Sequence, residues 1–209
     1  MIQILKEQYY FTCGCEFCQT DPIRPDLALL CPNCSARAST PQPSTPSSTS
    51  TKPDADRDTW CVGCHGPLST GQIETARRWR YRTEALLQQD EGGGDSEEVF
   101  ASFEEGTKLM EKSDLTLYNI AEETCIRAIR VQNMDFLVQS VIIQLHLQRI
   151  FYHKHSLTIL NSLGMLFKGL LAVGRLDEAK QIFPELIRLV RLNYGEHHNL
   201  YKYMMALIT

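Results

Sequence analysis

Leu157-Thr158-Ile159-Leu160-Asn161-Ser162-Leu163-Gly164-Met165-Leu166-Phe167-Lys168-Gly169-Leu170-Leu171-Ala172-Val173, then Gly174-Arg175, then Leu176-Asp177-Glu178-Ala179-Lys180-Gln181-Ile182-Phe183, is the stretch on which the fold class turns. Leu160, Leu163 and Phe167 recur at three- and four-residue steps, as do Leu176, Ala179 and Phe183, which is the period of a helix face and not of a strand. Gly174 interrupts the pattern, so the segment predicts two helices. One runs from Leu157 to Val173 and starts at His155 or Ser156; the other runs from Leu176 to Tyr194 and is ended by Gly195. Gly164 and Ala179 are small enough to let the pair approach closely, with large neighbours plugging between them. Pro184 falls inside the second helix, where a kink is expected.

The same period extends back to about Gly71. Ser69 or Thr70 can cap a helix of Ile73 to Gln89, closed by Glu91-Gly92-Gly93-Gly94. Asp95 or Ser96 starts a helix with Val99, Phe100, Phe103, Leu109 and Met110. Asp114 starts another whose Leu117, Ile120, Ala121, Thr124, Cys125, Ala128 and Ile129 form a stripe expected to be buried. Asn133 starts the next, through Phe136, Leu137, Ile143, Leu147 and Ile150, and a short last helix spans Asn199 to Ala206. Short turns between such helices give stacked antiparallel pairs. The fold class is mainly α, with a small cysteine-rich module in front. In the clearest pair, Leu163-Gly164, Phe167, Ala179 and Phe183 resemble the tetratricopeptide pattern. The turn is about three residues too long for that repeat.

Seven of the eight cysteines lie between Cys13 and Cys64, in a chain of 209 residues with net charge -4. The acidic balance argues against general nucleic-acid binding, which needs a basic footprint. No apolar run approaches a membrane span, and Met1 to Glu7 carries no apolar signal core. The short cysteine spacings therefore read as metal ligands in a reducing compartment, cytoplasmic or nuclear. Cys31-Pro32-Asn33-Cys34 and Cys61-Val62-Gly63-Cys64 make a complete four-thiol set for a structural zinc, with His65 as an alternative to Cys64. The wide gap between the pairs costs little, because loop closure depends only logarithmically on length. That gap holds Ser39-Thr40-Pro41-Gln42-Pro43-Ser44-Thr45-Pro46-Ser47-Ser48-Thr49-Ser50-Thr51-Lys52-Pro53, which is expected to be disordered. Cys13, Cys15 and Cys18 form a second knuckle with three thiols, one short of a tetrahedron. A later cysteine could complete it only by breaking the quartet. The simpler reading is a fourth ligand from outside the chain.

The run Leu5-Lys6-Glu7-Gln8-Tyr9-Tyr10-Phe11-Thr12-Cys13-Gly14-Cys15-Glu16-Phe17-Cys18-Gln19-Thr20-Asp21 resembles the post-SET segment of the SET-and-MYND (SMYD) protein-lysine methyltransferases. Leu163-Gly164, Gly174-Arg175-Leu176-Asp177-Glu178-Ala179 and Tyr194-Gly195-Glu196-His197-His198 look like the last helical repeat and closing turn of that family, and the second cysteine quartet looks most like its class-4 branch. The resemblance implies that Cys13, Cys15 and Cys18 share a zinc with a cysteine of the SET core. It also implies that Phe11 packs on the adenine of S-adenosylmethionine and that Tyr9 lines the channel for the target lysine. The specific matches cover about a third of the chain.

The MYND finger, the SET sheet and the Asn-His-x-Cys segment of that family are absent from these residues. The chain thus resembles a C-terminal fragment, not catalytic alone. Its expected parts are residues 1–35 (post-SET knuckle and first half of the second zinc site), 36–59 (disordered loop), 60–70 (second half of that site) and 71–209 (tetratricopeptide-like helical domain). A zinc-stabilised helical adaptor, binding a protein partner in its groove, is the alternative function. Elsewhere, Arg77-Arg78-Trp79-Arg80-Tyr81-Arg82 reads as a solvated helix face with Trp79 buried. His197 and His198 read as turn formers, Cys125 as a core residue, and Glu104-Glu105 and Glu122-Glu123 as exposed faces.

Overall fold

The computed structural model describes residues 29–35, 38–39, 60–61, 63–64, 68–89 and 95–206. It divides into two compact units, Met1–Ile73 and Glu74–Thr209, and is mainly helical. The tract Thr40 to Lys52-Pro53 and the triglycine Gly92-Gly93-Gly94 lie outside the described residues.

In the first unit, β1 (Ala38–Ser39) pairs antiparallel with β2 (Trp60–Cys61), Ala38 opposite Cys61 and Ser39 opposite Trp60. This places Ala38 and Ser39 in a ladder although they fall in the span 36–59 expected to be disordered. Backbone pairing needs no apolar side chain, so composition carries no trace of it. Leu29, Cys31, Cys61 and Leu68 are buried. Ser69 caps the following helix, α1 (Thr70–Leu87): the Gln72 amide donates to Ser69 Oγ and the Ser69 amide donates to Gln72 Oε1. This reciprocal capping box satisfies two amides that a helix start would otherwise leave unpaired.

The second unit continues with α2 (Ser96–Leu109), α3 (Leu115–Arg130), α4 (Met134–Phe151), α5 (Leu157–Ala172), α6 (Leu176–Tyr194) and α7 (Asn199–Ala206). Asp95, Asp114, Asn133 and Ser156 cap α2 to α5, each side chain accepting from a backbone N–H of the first turn. From α2 onward each helix packs on the next. Because the connecting turns are short, successive helices run antiparallel. The turns after α3 and α5 repeat one geometry. The Asn133 amide bonds back to Ala128 O, and the Arg175 amide to Leu170 O, around a residue of positive φ. That residue is Gly174 in the second turn but Gln132 in the first, at a cost of about 1–2 kcal/mol for the left-handed conformation.

α4 is the centre of this unit, and the core runs from Phe100 through Val138, Val141 and Leu163 to Leu189 and Met204. On α3 the expected stripe is buried from Leu117 to Ala128, but Ile129 is 50% exposed. At about 100° per residue Ile129 lies about 120° round the helix from Leu117, outside the face that meets α4. Pro184 sits within α6, which continues helical on both sides of it. Among the described residues no helix is long and apolar enough to cross a membrane.

Two glycines set close approaches, and Gly164 is not one of them. A Cβ on Gly106 of α2 would lie 2.3 Å from the Trp79 ring, and one on Gly169 of α5 would lie 2.9 Å from Val138 of α4. Gly164 has nothing within 4 Å of its would-be Cβ, so the close approach expected there occurs five residues later. Trp79 is fully buried, its Nε1–H donating to Ser102 O at 2.9 Å, while Thr83 and Ser102 share a hydroxyl hydrogen bond of 2.7 Å. Tyr81 is exposed, and Arg80 and Arg82 pair with Asp114 and Glu105.

These contacts set opposite signs for one substitution. Gly106→Ala should destabilise the helical unit by about 1–3 kcal/mol, because a rigid indole must move. Gly164→Ala should stabilise it by up to about 1 kcal/mol, the helix-propensity gain with no clash. Urea denaturation followed by circular dichroism measures both, and equal effects would show that the Trp79 contact is not as described.

Candidate metal centre

The four thiols of the quartet converge from two turns. Cys31 and Cys34 bracket a tight turn in which the Ser35 amide donates to Cys31 O at 2.7 Å and Ser35 takes a φ of 55°. Cys61 closes β2, and Cys64 follows on a turn of the same Cys-x2-Cys length. The β1–β2 ladder, joined to Cys34 within four residues on one side and ending at Cys61 on the other, holds the two turns together.

All four Sγ atoms lie within 4.8 Å of one another. Cys31 Sγ is 3.7 Å from Cys64 Sγ, and Cys34 Sγ is 3.2 Å from Cys61 Sγ. A tetrahedron of ~2.3 Å metal–sulfur bonds has sulfur–sulfur edges of about 3.8 Å. The first distance matches that edge and the second requires only a small outward shift. Both far exceed the ~2.05 Å of a disulfide, and the cysteines are free thiols. The group can therefore hold a metal ion, and its donor set is compatible with zinc.

The backbone prepares one ligand. The Gly63 and Cys64 amides both donate to Cys61 Sγ, at 3.3 and 3.4 Å. The Cys64 amide is the main cause of a Cys61 thiol drawn from 9.0 down to about 6; desolvation opposes it, and contacts with Cys34 and Gly63 assist. Such amide bonds favour the thiolate, the form that binds metal. Since the folded value is lowered, this stabilisation is complete above the ordinary thiol range and is lost as the pH falls through about 6.

Of the other residues singled out in the sequence, Cys13, Cys15, Cys18, Tyr9, Phe11 and His65 lie outside the described residues. Cys125 is buried between α3 and α4, and burial raises its thiol, as befits a core residue. His198 stacks on Tyr194 and accepts the Leu200 amide, so it shapes the turn into α7. Glu105 and Glu123 are ion-paired, with Arg82 and Arg127, and are not bare exposed groups. The pairing of Ala38–Ser39 with Trp60–Cys61 escaped the sequence reading. Its signal was the placement of a β-forming Trp directly before Cys61.

Compared with family models and with curated proteins, the chain matches none.

Metal analysis of the purified chain should find an ion that the double substitution Cys61→Ser, Cys64→Ser removes. Retention should weaken on acidification, most steeply below about pH 6, because each ligand must shed its proton to bind. Competition with a chromogenic chelator across a pH series measures this. A metal-free chain with these four thiols oxidised in pairs would overturn the assignment.

Proposed function

We propose that these residues are the C-terminal part of a SET-and-MYND protein-lysine methyltransferase, an enzyme class that transfers methyl from S-adenosylmethionine to protein lysine. The observation that carries the reading is the order of three parts along one chain. The run Tyr9-x-Phe11-x-Cys13-x-Cys15-x2-Cys18 comes first, a four-thiol centre second and a stack of helical hairpins third. In this reading the ion at Cys31, Cys34, Cys61 and Cys64 is zinc. Four protein thiolates fill its coordination, so no position remains for water or substrate and the site supports folding.

Cys13, Cys15 and Cys18 would close their own zinc site with a cysteine from a SET core, which would carry the knuckle to the edge of the catalytic site. Phe11 would there offer an aromatic face to the adenine of the cofactor, and Tyr9 one wall of the lysine channel. S-adenosylmethionine supplies the methyl group. An aromatic wall alone cannot grip the charged end of the cofactor or align the methyl transfer, so the chain needs that core to act. The protein substrate would be approached through the helical hairpins. The adaptor reading differs in requiring no SET core: the same helices would hold a partner protein unaided.

Isothermal titration should detect no S-adenosylmethionine binding to the 209-residue chain, and no lysine should be methylated. Joined to an intact SET core, Phe11→Ala should weaken cofactor binding by about 1–3 kcal/mol, the range for losing an aromatic stack on a base. Turnover by the isolated chain, or unchanged cofactor affinity on Phe11→Ala, would reject the assignment.

A further inference from the structure

A cleft of about 460 Å³ opens between α5, α6 and α7, walled by Leu160, Met165, Leu171, Val190 and Met204. Its size falls within the range of small-molecule sites, as does its apolar lining with few polar groups. The wall contains Gly164, and no neighbour packs where its side chain would begin. Nothing lies within 4 Å of its would-be Cβ, unlike Gly106 and Gly169, whose missing side chains make room for Trp79 and Val138. A helix-interior glycine is destabilising relative to alanine. Here that cost opens space in the cleft and gains no packing.

Polar chemistry in the cleft is sparse and of one sign. Asn161, Gly164, Lys168 and Leu171 follow one another at three- and four-residue steps along α5 and share one face. Lys168 is the only charged residue among those that line the cleft. It is exposed and makes no ion pair among the described residues. The pocket is mostly apolar, its neutral polar groups being Asn161 and the hydroxyls of Tyr194 and Tyr203. With a single ammonium that makes no ion pair among the described residues, it is complementary to an apolar body carrying one negative charge.

We propose that this cleft binds an apolar carboxylate, its hydrocarbon part lying over Gly164 against Leu160, Met165, Val190 and Met204 and its carboxylate meeting Lys168. The site is independent of the methyltransferase reading and of the cysteine quartet.

Dodecanoate, held below its micelle concentration, is the probe, with dodecylammonium as the charge-reversed control, each titrated into the full chain by calorimetry. Dodecanoate should bind saturably at a single site and more tightly than dodecylammonium. Lys168→Glu should weaken dodecanoate by about two- to fivefold, the scale of an exposed charge pair, and should favour dodecylammonium. Gly164→Leu should abolish dodecanoate binding by filling the cleft, while the circular dichroism spectrum and melting temperature are kept or improved. Lys168→Glu changes only an exposed side chain, so it decides the question even if Gly164→Leu perturbs α5. Equal binding of the two probes, no saturable binding, or full binding by folded Gly164→Leu would each overturn the proposal.

Discussion

α4 buries side chains over well more than half of its circumference, Leu137, Val138 and Val141 as well as Ile143, Leu145 and Leu147, and leaves one stripe, Asp135, Gln139, His146 and Arg149, to solvent. So wide a buried face cannot be covered by one neighbour. It must be covered by neighbours on opposite sides, and short turns at both ends leave α3 and α5 as the elements that can reach it. The Gly169 contact with Val138 then fixes how near α5 may come. Once α3, α4 and α5 are sandwiched, the outer faces of α3 and α5 are what remain to be covered. α2 meets the first and also reaches α4, where Phe100 stacks on Phe136; α6 meets the second, with Phe167 against Phe183. Buried polar groups also bridge these helices, since Gln144 donates its amide to Ala121 O across the α3–α4 contact.

The cysteine module is ordered by a different force. It buries few apolar residues, and its regular backbone pairing among the described residues is a ladder of two residues per strand. Thiol convergence supplies what the core does not. Four thiolates brought together set like charges against one another, a cost that a bound cation would remove, and the arrangement suits a ligand set. The helical unit is held instead by apolar stripes that cover one another.

Much of this architecture was legible in the residues. Asp114, Asn133 and Ser156 stand directly before periodic apolar runs, and each caps its helix; α6 begins and ends where Gly174 and Gly195 place it, and α7 spans the expected Asn199 to Ala206. The quartet was legible because a ligand pair needs only its own local spacing. What escaped the sequence depends on which side of a helix its neighbours occupy. Gly164 and Gly169 are chemically identical and five residues apart, yet only the second faces α4. Ile129 continues the apolar pattern of α3 but drifts off its buried edge. The pairing of Arg80 with Asp114 joins residues 34 apart, and neither carries a local mark of the other.

Pro184 divides α6 in a way that bears on its motion. A proline has no N–H, so the Lys180 carbonyl lacks the donor that every other turn of the helix interior provides. The stretch before it, Leu176 to Phe183, buries Ala179 alone completely, rests Phe183 against Phe167, and is tied at its first turn by surface pairs, Arg175 with Glu178 and Asp177 with Lys180. The stretch after it is anchored by the buried Leu186, Leu189 and Val190. One continuous helix therefore contains two units of opening. Its amide protons should exchange with solvent in two classes that meet at the proline, the earlier class by local fraying and the later one only when the core itself opens.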